Sequence, residues 1–223
     1  MTRVVPLKGM RGMIADAMVK SLATAAQLTH HASADASALL AHKARLADDG
    51  VKVSVEDLLM LAVVRALKKH PDANGRVEGR DITLADQIDL SVAIALPGNL
   101  LVAPAIFAAG DMQVSELRAA RQDLAARAKA NKLSVTEMTG GTFTVSNLGL
   151  TRVEHFTPII NAPQICILGI GRMSDRAVRG DDGKIDLHPH VGLSLTFDHR
   201  ALDGAPAGDL LTTICEEIED FPK

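Results

Sequence analysis

The run VEDLLMLAVVRALKK, residues 55–69, does most to limit what this chain can fold into. Its apolar side chains go nearly all the way round a 3.6-residue helix, so one packing partner cannot cover it. Such a helix must sit centrally, largely buried, in a layered domain. Both of its ends are marked. Ser54 and Asp57 have capping-box spacing, with Asp the weaker acidic partner, and Lys68 and Lys69 complement the negative end just before Pro71. A chain of 223 residues is long enough to build the core that this implies.

The remaining segments supply the layers. MRGMIADAMVKSLATA places Met10, Ile14, Ala17 and Met18 at helical spacing, and QLTHHASADAS alternates weakly as a strand. ASALLAHKARLADDG predicts a short helix with Gly50 past its end. GRVEGRDITL, IDLSVAIAL and LLVAPAI predict strands, with PGN turning between the last two. VSELRAARQDLAARAKANKL reads as an exposed amphipathic helix with a solvated basic face. A Gly-Gly hinge leads into the strand TFTVSNLG, and APQICILGIGRM is an apolar strand whose entry Pro163 sets. RAVRGDDGKIDLHPHVGLSLTF predicts hairpin strands around Asp-Asp-Gly, and DGAPAGDLLTTICEEIEDF predicts the last helix. With no linker, repeat or boundary, residues 1–223 read as one mixed α/β domain, an antiparallel or mixed sheet flanked by helices.

Composition excludes several classes of function. A formal charge of −3 gives no nucleic-acid footprint, and with five Phe and neither Trp nor Tyr, stacking on nucleobases is nearly unavailable. No apolar run nears the roughly 18 residues that span a bilayer, and MTRVVPLKGMRG lacks a secretory apolar segment. Cys166 and Cys215 both lie on apolar patterns and read as small buried hydrophobes, which suits a reducing cytoplasm.

The chemistry concentrates near the carboxy end, in SLTFDHRALDGAPAGDLL. Leu193, Leu195 and Phe197 alternate with Ser194 and Thr196, so one strand face is core and His199 stands at the strand's end. Asp203 lies near enough across a tight turn to fix the ring or the loop, and Gly204 lets the chain turn sharply. Asp198 suits a local backbone cap and Arg200 an anchor for a carboxylate or phosphate. A lone His is more often a packed one, but this setting is how a general base is presented. Ser146 and Asn147 end another strand; they suit a turn, or a hydroxyl donor to an oxyanion. GIGRMS lacks the third glycine and helix of a dinucleotide motif. The HPH of LHPHVG and the His30-His31 pair lack further ligands at metal spacing, so no metal site is expected.

GGTFTVSNLG, NAPQICILGIG and DHRALDG, in that order along the chain, resemble the catalytic domain of dihydrolipoyl acyltransferases, the core subunits of 2-oxo acid dehydrogenase complexes. The resemblance runs almost end to end, from VPLKGMRGMIADAMVKSLATA to the final helix. His-x-x-x-Asp-Gly alone is shared with chloramphenicol acetyltransferase and other acyltransferases; the ordered combination is more specific. It implies the chloramphenicol acetyltransferase fold, assembled as trimers, with an active-site channel between two subunits. Coenzyme A enters one end and the lipoyl arm of another domain the other. By this resemblance His199 is the general base, Ser146 of the neighbouring subunit the oxyanion donor, and Asp203 the residue that orients the active-site loop. The 53 positions from Ser146 to His199 are close to the family's separation. Coenzyme A binding maps onto Lys43, Ser54 and Gly171, with Lys43 a point charge where Arg is commoner.

The chain departs from the family in carrying no lipoyl or peripheral-subunit-binding domain ahead of the catalytic one. The ending EEIEDFPK, without the apolar tail of large cores, favours an isolated trimer. Thr151-Arg152 stands where the family often has small residues, which bears on the channel near Ser146. Expected partners are therefore further copies of itself, a lipoyl domain and, within a longer protein, dehydrogenase-complex subunits, with no nucleic acid or membrane. Two other readings remain: a non-catalytic trimeric scaffold, and a coenzyme A-dependent acyltransferase with a non-lipoyl acceptor.

Overall fold

The structure, a computed structural model, describes Thr2, residues 4–180 and residues 182–221. In chain order the elements are α1 (Gly9–Thr24), β1 (Gln27–Asp35), α2 (Ser37–Asp48), α3 (Val55–Lys69), β2 (Gly75–Glu78), β3 (Asp81–Leu84), β4 (Leu90–Val92), β5 (Ile94–Leu96) and β6 (Leu100–Val102). Then follow β7 (Ala105–Ile106), α4 (Val114–Lys129), α5 (Val135–Thr139), β8 (Phe143–Asn147), β9 (Cys166–Arg179), β10 (Ile185–Asp198) and α6 (Gly204–Glu219). Six strands form one mixed sheet in the order β1-β10-β9-β8-β4-β7. Within it β8 runs parallel to β4 and β9, and the other neighbours are antiparallel. The hairpins β2–β3 and β5–β6 stand apart from it.

The central helix is α3, and the predicted capping box closes. Asp57 N donates to Ser54 Oγ at 3.2 Å, and Ser54 N donates to Asp57 Oδ2 at 2.7 Å. Helices α2, α4 and α6 pack around α3. Asp57 and the apolar residues from Leu58 to Leu67 are buried, apart from partly buried Leu61. Asp57 has no exposed surface, yet it stays a carboxylate because Arg121 of α4 donates to its Oδ1 at 2.7 Å. Burial alone pushes this carboxyl up; the hydrogen bonds from Arg121 and Ser54 outweigh it and hold the group below the ordinary carboxylate range.

The alternation in β10 does not leave a solvated face. Leu193, Leu195 and Phe197 join the core, and Ser194, Thr196 and Asp198 on the opposite face are buried too. The cover is the segment after β8, residues 148–164, which crosses that second face. It comes close because glycines line its path. A Cβ on Gly171 would stand 1.9 Å from the carbonyl oxygen of Glu154, and one on Gly192 would stand 2.0 Å from the same atom. A Cβ on Gly169 would stand 2.7 Å from the Phe156 ring. The buried polar groups of this face are paired: Ser194 Oγ and Thr196 Oγ1 laterally with His31 Nδ1 at 2.9 Å and Thr29 Oγ1 at 2.8 Å on β1, and Thr144 Oγ1 with Gln164 Oε1 of the covering segment at 2.5 Å.

Three features differ from the sequence reading. The Gly-Gly pair is a close approach rather than a hinge, since a Cβ on Gly141 would stand 1.9 Å from Ser91 Oγ. Helix α5 precedes it, started by a capping box at Ser134 and Glu137. Helix α1 forms as expected, but Ser21 is its buried residue, with Oγ donating to the Ile160 carbonyl at 2.6 Å. The apolar side chains of α1 overhang a shallow groove toward Leu96, Val102 and Leu133, leaving Val19 and Leu22 68% and 57% exposed.

Two outcomes follow from this packing. Gly171→Ala or Gly192→Ala forces the 148–164 segment off the sheet, and each is expected to cost about 1–3 kcal/mol of stability, read by urea denaturation against wild type. The stabilisation that Asp57 supplies is complete above about pH 4, the unfolded carboxylate value, and is lost as pH falls through the lower folded value. Asp57→Asn should therefore melt lower than wild type at pH 7, with a shallower further fall in melting temperature below pH 4.

Candidate functional site

Residue His199 follows directly on β10, and its backbone N donates to the Ala26 carbonyl at 2.9 Å, which ties the turn to the start of β1. The base of the turn is Asp198, 1% exposed, whose Oδ1 accepts from Ala26 N and Arg200 N, both at 3.1 Å. The Arg200 guanidinium closes over the same carboxylate, with Nη2 2.5 Å and Nε 3.0 Å from Oδ2. Burial pushes the Asp198 carboxyl up, but the hydrogen bonds from Arg200 outweigh it and leave the group below its ordinary value. Arg200, expected as an anchor for a substrate anion, is thus held by its own neighbour.

The imidazole itself is open. Its side chain is 44% exposed, and Nδ1 lies 3.5 Å from Asp203 Oδ1, a charge contact longer than a closed hydrogen bond. Asp203 is the N-cap residue of α6, with its side chain free of a capping bond. A carboxylate on the Nδ1 side favours the proton there and leaves Nε2 as the acceptor. The Phe197 ring packs 5.8 Å from the His199 ring, and His30 meets the other side of Phe197 edge-on at 5.0 Å.

The second corner is Ser146-Asn147 at the end of β8. Ser146 pairs with Gly169 of β9, and Gly169 pairs with Ser194 of β10, five residues before His199. Strand geometry therefore separates Ser146 and His199 by roughly 17 Å along the strands and about 10 Å across them. One chain does not bring the two together.

Ser146's neighbour Asn147 opens onto a cavity of about 410 Å³, shared with Ser54, Glu56, Arg121, Gly171 and Met173. Two of the three expected cofactor residues, Ser54 and Gly171, thus line one space. The third, Lys43, lies half-buried on α2 and is not part of that lining. Neither lining residue is free in the way the sequence suggested. Ser54 Oγ donates to Asp57 Oδ2 at 2.7 Å, accepts from Asp57 N, and lies 3.3 Å from Arg121 Nη2, so its hydroxyl is fully engaged. The bare side of Gly171 is filled by the Glu154 carbonyl.

The wall of this cavity holds a feature the sequence reading missed. Arg121, read as part of a solvated face, is 18% exposed and spans Asp57 and Glu56, with Nη1 3.2 Å from Glu56 Oε2. Helical spacing placed Arg121 among other basic residues of α4, and its acidic partners lie more than 60 positions earlier, so only packing reveals it.

Other candidates contribute less. His31 and His155 meet edge-on at 5.4 Å, and burial first, then the charges of His155 and His30, lower the His31 pKa. Burial also pushes up both thiols, Cys215 to about 11, so neither is a poised nucleophile. Among the described residues no group of three or more His, Cys, Asp or Glu could hold a metal ion, and no helix is long and apolar enough to cross a membrane.

Comparison with known proteins shows the family and the fold. The family model for 2-oxoacid dehydrogenases acyltransferase (catalytic domain) matches residues 1–223. The mitochondrial dihydrolipoyllysine-residue succinyltransferase component of the 2-oxoglutarate dehydrogenase complex of Saccharomyces cerevisiae is 38% identical over 221 residues, 97% of this chain and 47% of that protein. The chain spans about half the length of the curated relatives it matches. A crystallographic and enzymatic study of Azotobacter vinelandii dihydrolipoamide acetyltransferase, on the catalytic role of a serine, a histidine and an asparagine, gives a structure with TM-score 0.90 and 29% identity; the match covers 99% of this chain and 92% of that one. Chloramphenicol acetyltransferase matches the full length of both chains at TM-score 0.57 and 16% identity, a likeness of fold alone. The chain belongs to the 2-oxoacid dehydrogenases acyltransferase (catalytic domain) family.

Proposed function

We propose that this chain transfers an acyl group between the dihydrolipoyl arm of a lipoyl domain and coenzyme A, at a site completed by a second copy of itself. The observation that carries the reading is the His199 corner: an open imidazole with a carboxylate on its Nδ1 side, on a turn held by buried Asp198 and its bond to Arg200. The similar Azotobacter acetyltransferase, whose catalytic mechanism was investigated at a serine, a histidine and an asparagine, supports it.

In this reading Nε2 of His199 takes the proton from a thiol, which at a free pKa near 8.5 is mostly protonated at neutral pH. The thiolate adds to the thioester carbonyl, and the resulting oxyanion accepts a hydrogen bond from Ser146 Oγ of the adjoining subunit. Collapse breaks the original carbon–sulfur bond, and the expelled thiolate recovers the proton from the imidazolium. Asp203 steadies the ring and its loop throughout. The separation of Ser146 from His199 within one chain favours a site at an interface between copies, in the homotrimer that the family resemblance implies. The cavity at Ser54, Arg121 and Gly171 adjoins Asn147 and suits the approach of coenzyme A to Ser146, with Lys43 an outlying charge for its phosphates. Ser54 serves there through the capping box that shapes the wall. The acyl carrier is a lipoyl domain on this or another polypeptide, with dehydrogenase-complex subunits as further partners, and two free cysteines suit a cytoplasmic setting.

His199→Ala is expected to lower kcat for acyl transfer from an acyl-dihydrolipoamide to coenzyme A by about 10²–10⁴-fold while the assembly keeps its mass. Near-normal turnover in that variant excludes the histidine as base. Refolding a mixture of His199→Ala and Ser146→Ala chains tests the shared site. Mixed assemblies contain interfaces with both intact residues and should regain activity that neither variant shows alone. No recovery places both residues in one chain.

A further inference from the structure

We propose that Glu56 is a positioning residue for Ser146, acting through the side chain of Asn147; this rests on the role given to Ser146 above. Asn147 Nδ2 donates to Glu56 Oε1 at 3.2 Å, and Asn147 Oδ1 accepts from Gly149 N at 2.7 Å. Both ends of one amide are thus used, one on α3 and one on the chain just past the corner. Glu56 does not move freely, because its other oxygen meets Arg121, and Arg121 is anchored on buried Asp57. The result is a strut running from α4 through the first turn of α3 to the residue after Ser146.

The corner has reason to need it. Strand β8 ends at Asn147, and Leu150, three residues on, is fully exposed, so the chain here turns outward from the core. The turn is also tight, since a Cβ on Gly149 would stand 2.9 Å from Asn147 Oδ1 and 3.2 Å from the Gly171 carbonyl. A hydroxyl that stabilises an oxyanion has to be held within about 0.5 Å of its working position. Backbone pairing with β9 holds Ser146 and continues past it, with Leu148 N donating to the Ile170 carbonyl at 2.8 Å; the Glu56–Asn147 bond adds a side-chain hold on the residue between them. Asn147 and Glu56 touch no reacting atom in this account.

The test is a double-mutant cycle with Glu56→Ala, Asn147→Ala and the pair, measuring kcat and KM for both thiol substrates. Each single variant is expected to lower kcat by about 10–100-fold with KM changed less than about threefold, because misplacement by an ångström has that effect. The double variant should be no slower than the slower single, and Glu56→Gln, which keeps the acceptor for Asn147, should recover to within about threefold of wild type. Wild-type kcat in Glu56→Ala, additive losses, or Glu56→Gln as slow as Glu56→Ala overturns the proposal. If Glu56→Ala does not assemble, Glu56→Asp replaces it: the carboxylate withdraws by about 1.5 Å, keeps its charge for Arg121, and loses Asn147. Hydrogen exchange at the Gly149 amide gives a reading independent of activity. It should quicken at least about tenfold in Glu56→Ala relative to wild type, and unchanged exchange overturns the strut even if the proposed reaction itself proves wrong.

Discussion

The carbonyl of Glu154 occupies the space where side chains at Gly171 and Gly192 would be. That single close approach lets residues 148–164 lie flat on the second face of the sheet, and much else follows from it. The segment buries Ser194 and Thr196, brings Phe156 onto Gly169, and holds the chain leaving Ser146 against the strands. A sheet covered by helices on one face and by irregular chain on the other must satisfy every polar group between them. Here hydroxyls and amides do so in short pairs, Thr29 with Thr196, His31 with Ser194, Thr144 with Gln164. The first two pairs tie β1 to β10 within the sheet, and the third ties the covering segment to β8.

Two buried carboxylates organise the candidate site, one at each end. Asp198 anchors the turn that carries His199, and Asp57 anchors the helix start beside the Ser146 corner. Each would be costly to bury alone, and each is matched by an arginine with direct hydrogen bonds, Arg200 and Arg121. In both cases the arginine that looks available for a ligand is already committed to a carboxylate. The proposed reactive groups are the less constrained side chains, an open imidazole and a hydroxyl at a strand end.

Those two groups lie too far apart in one chain to act on one bond. Strand register alone decides this: Ser146 is level with Ser194, and His199 lies beyond the end of the same strand.

Much was legible in the sequence because it depended on short-range rules. The capping box at Ser54 and Asp57, the helix to Lys69, the alternation of Leu193, Leu195 and Phe197, and the His199–Asp203 spacing are all local, and the structure reproduces them. The ordered motifs identified the family. What tertiary structure alone decided are the pairings between distant positions: Arg121 with Asp57 and Glu56, Glu56 with Asn147, and Glu154 against two glycines. Periodicity tells which face of an element is apolar, but not what lies across from it. Gly171 illustrates the limit, since a missing side chain shows that something approaches closely, and only the folded chain identifies it as the protein's own backbone.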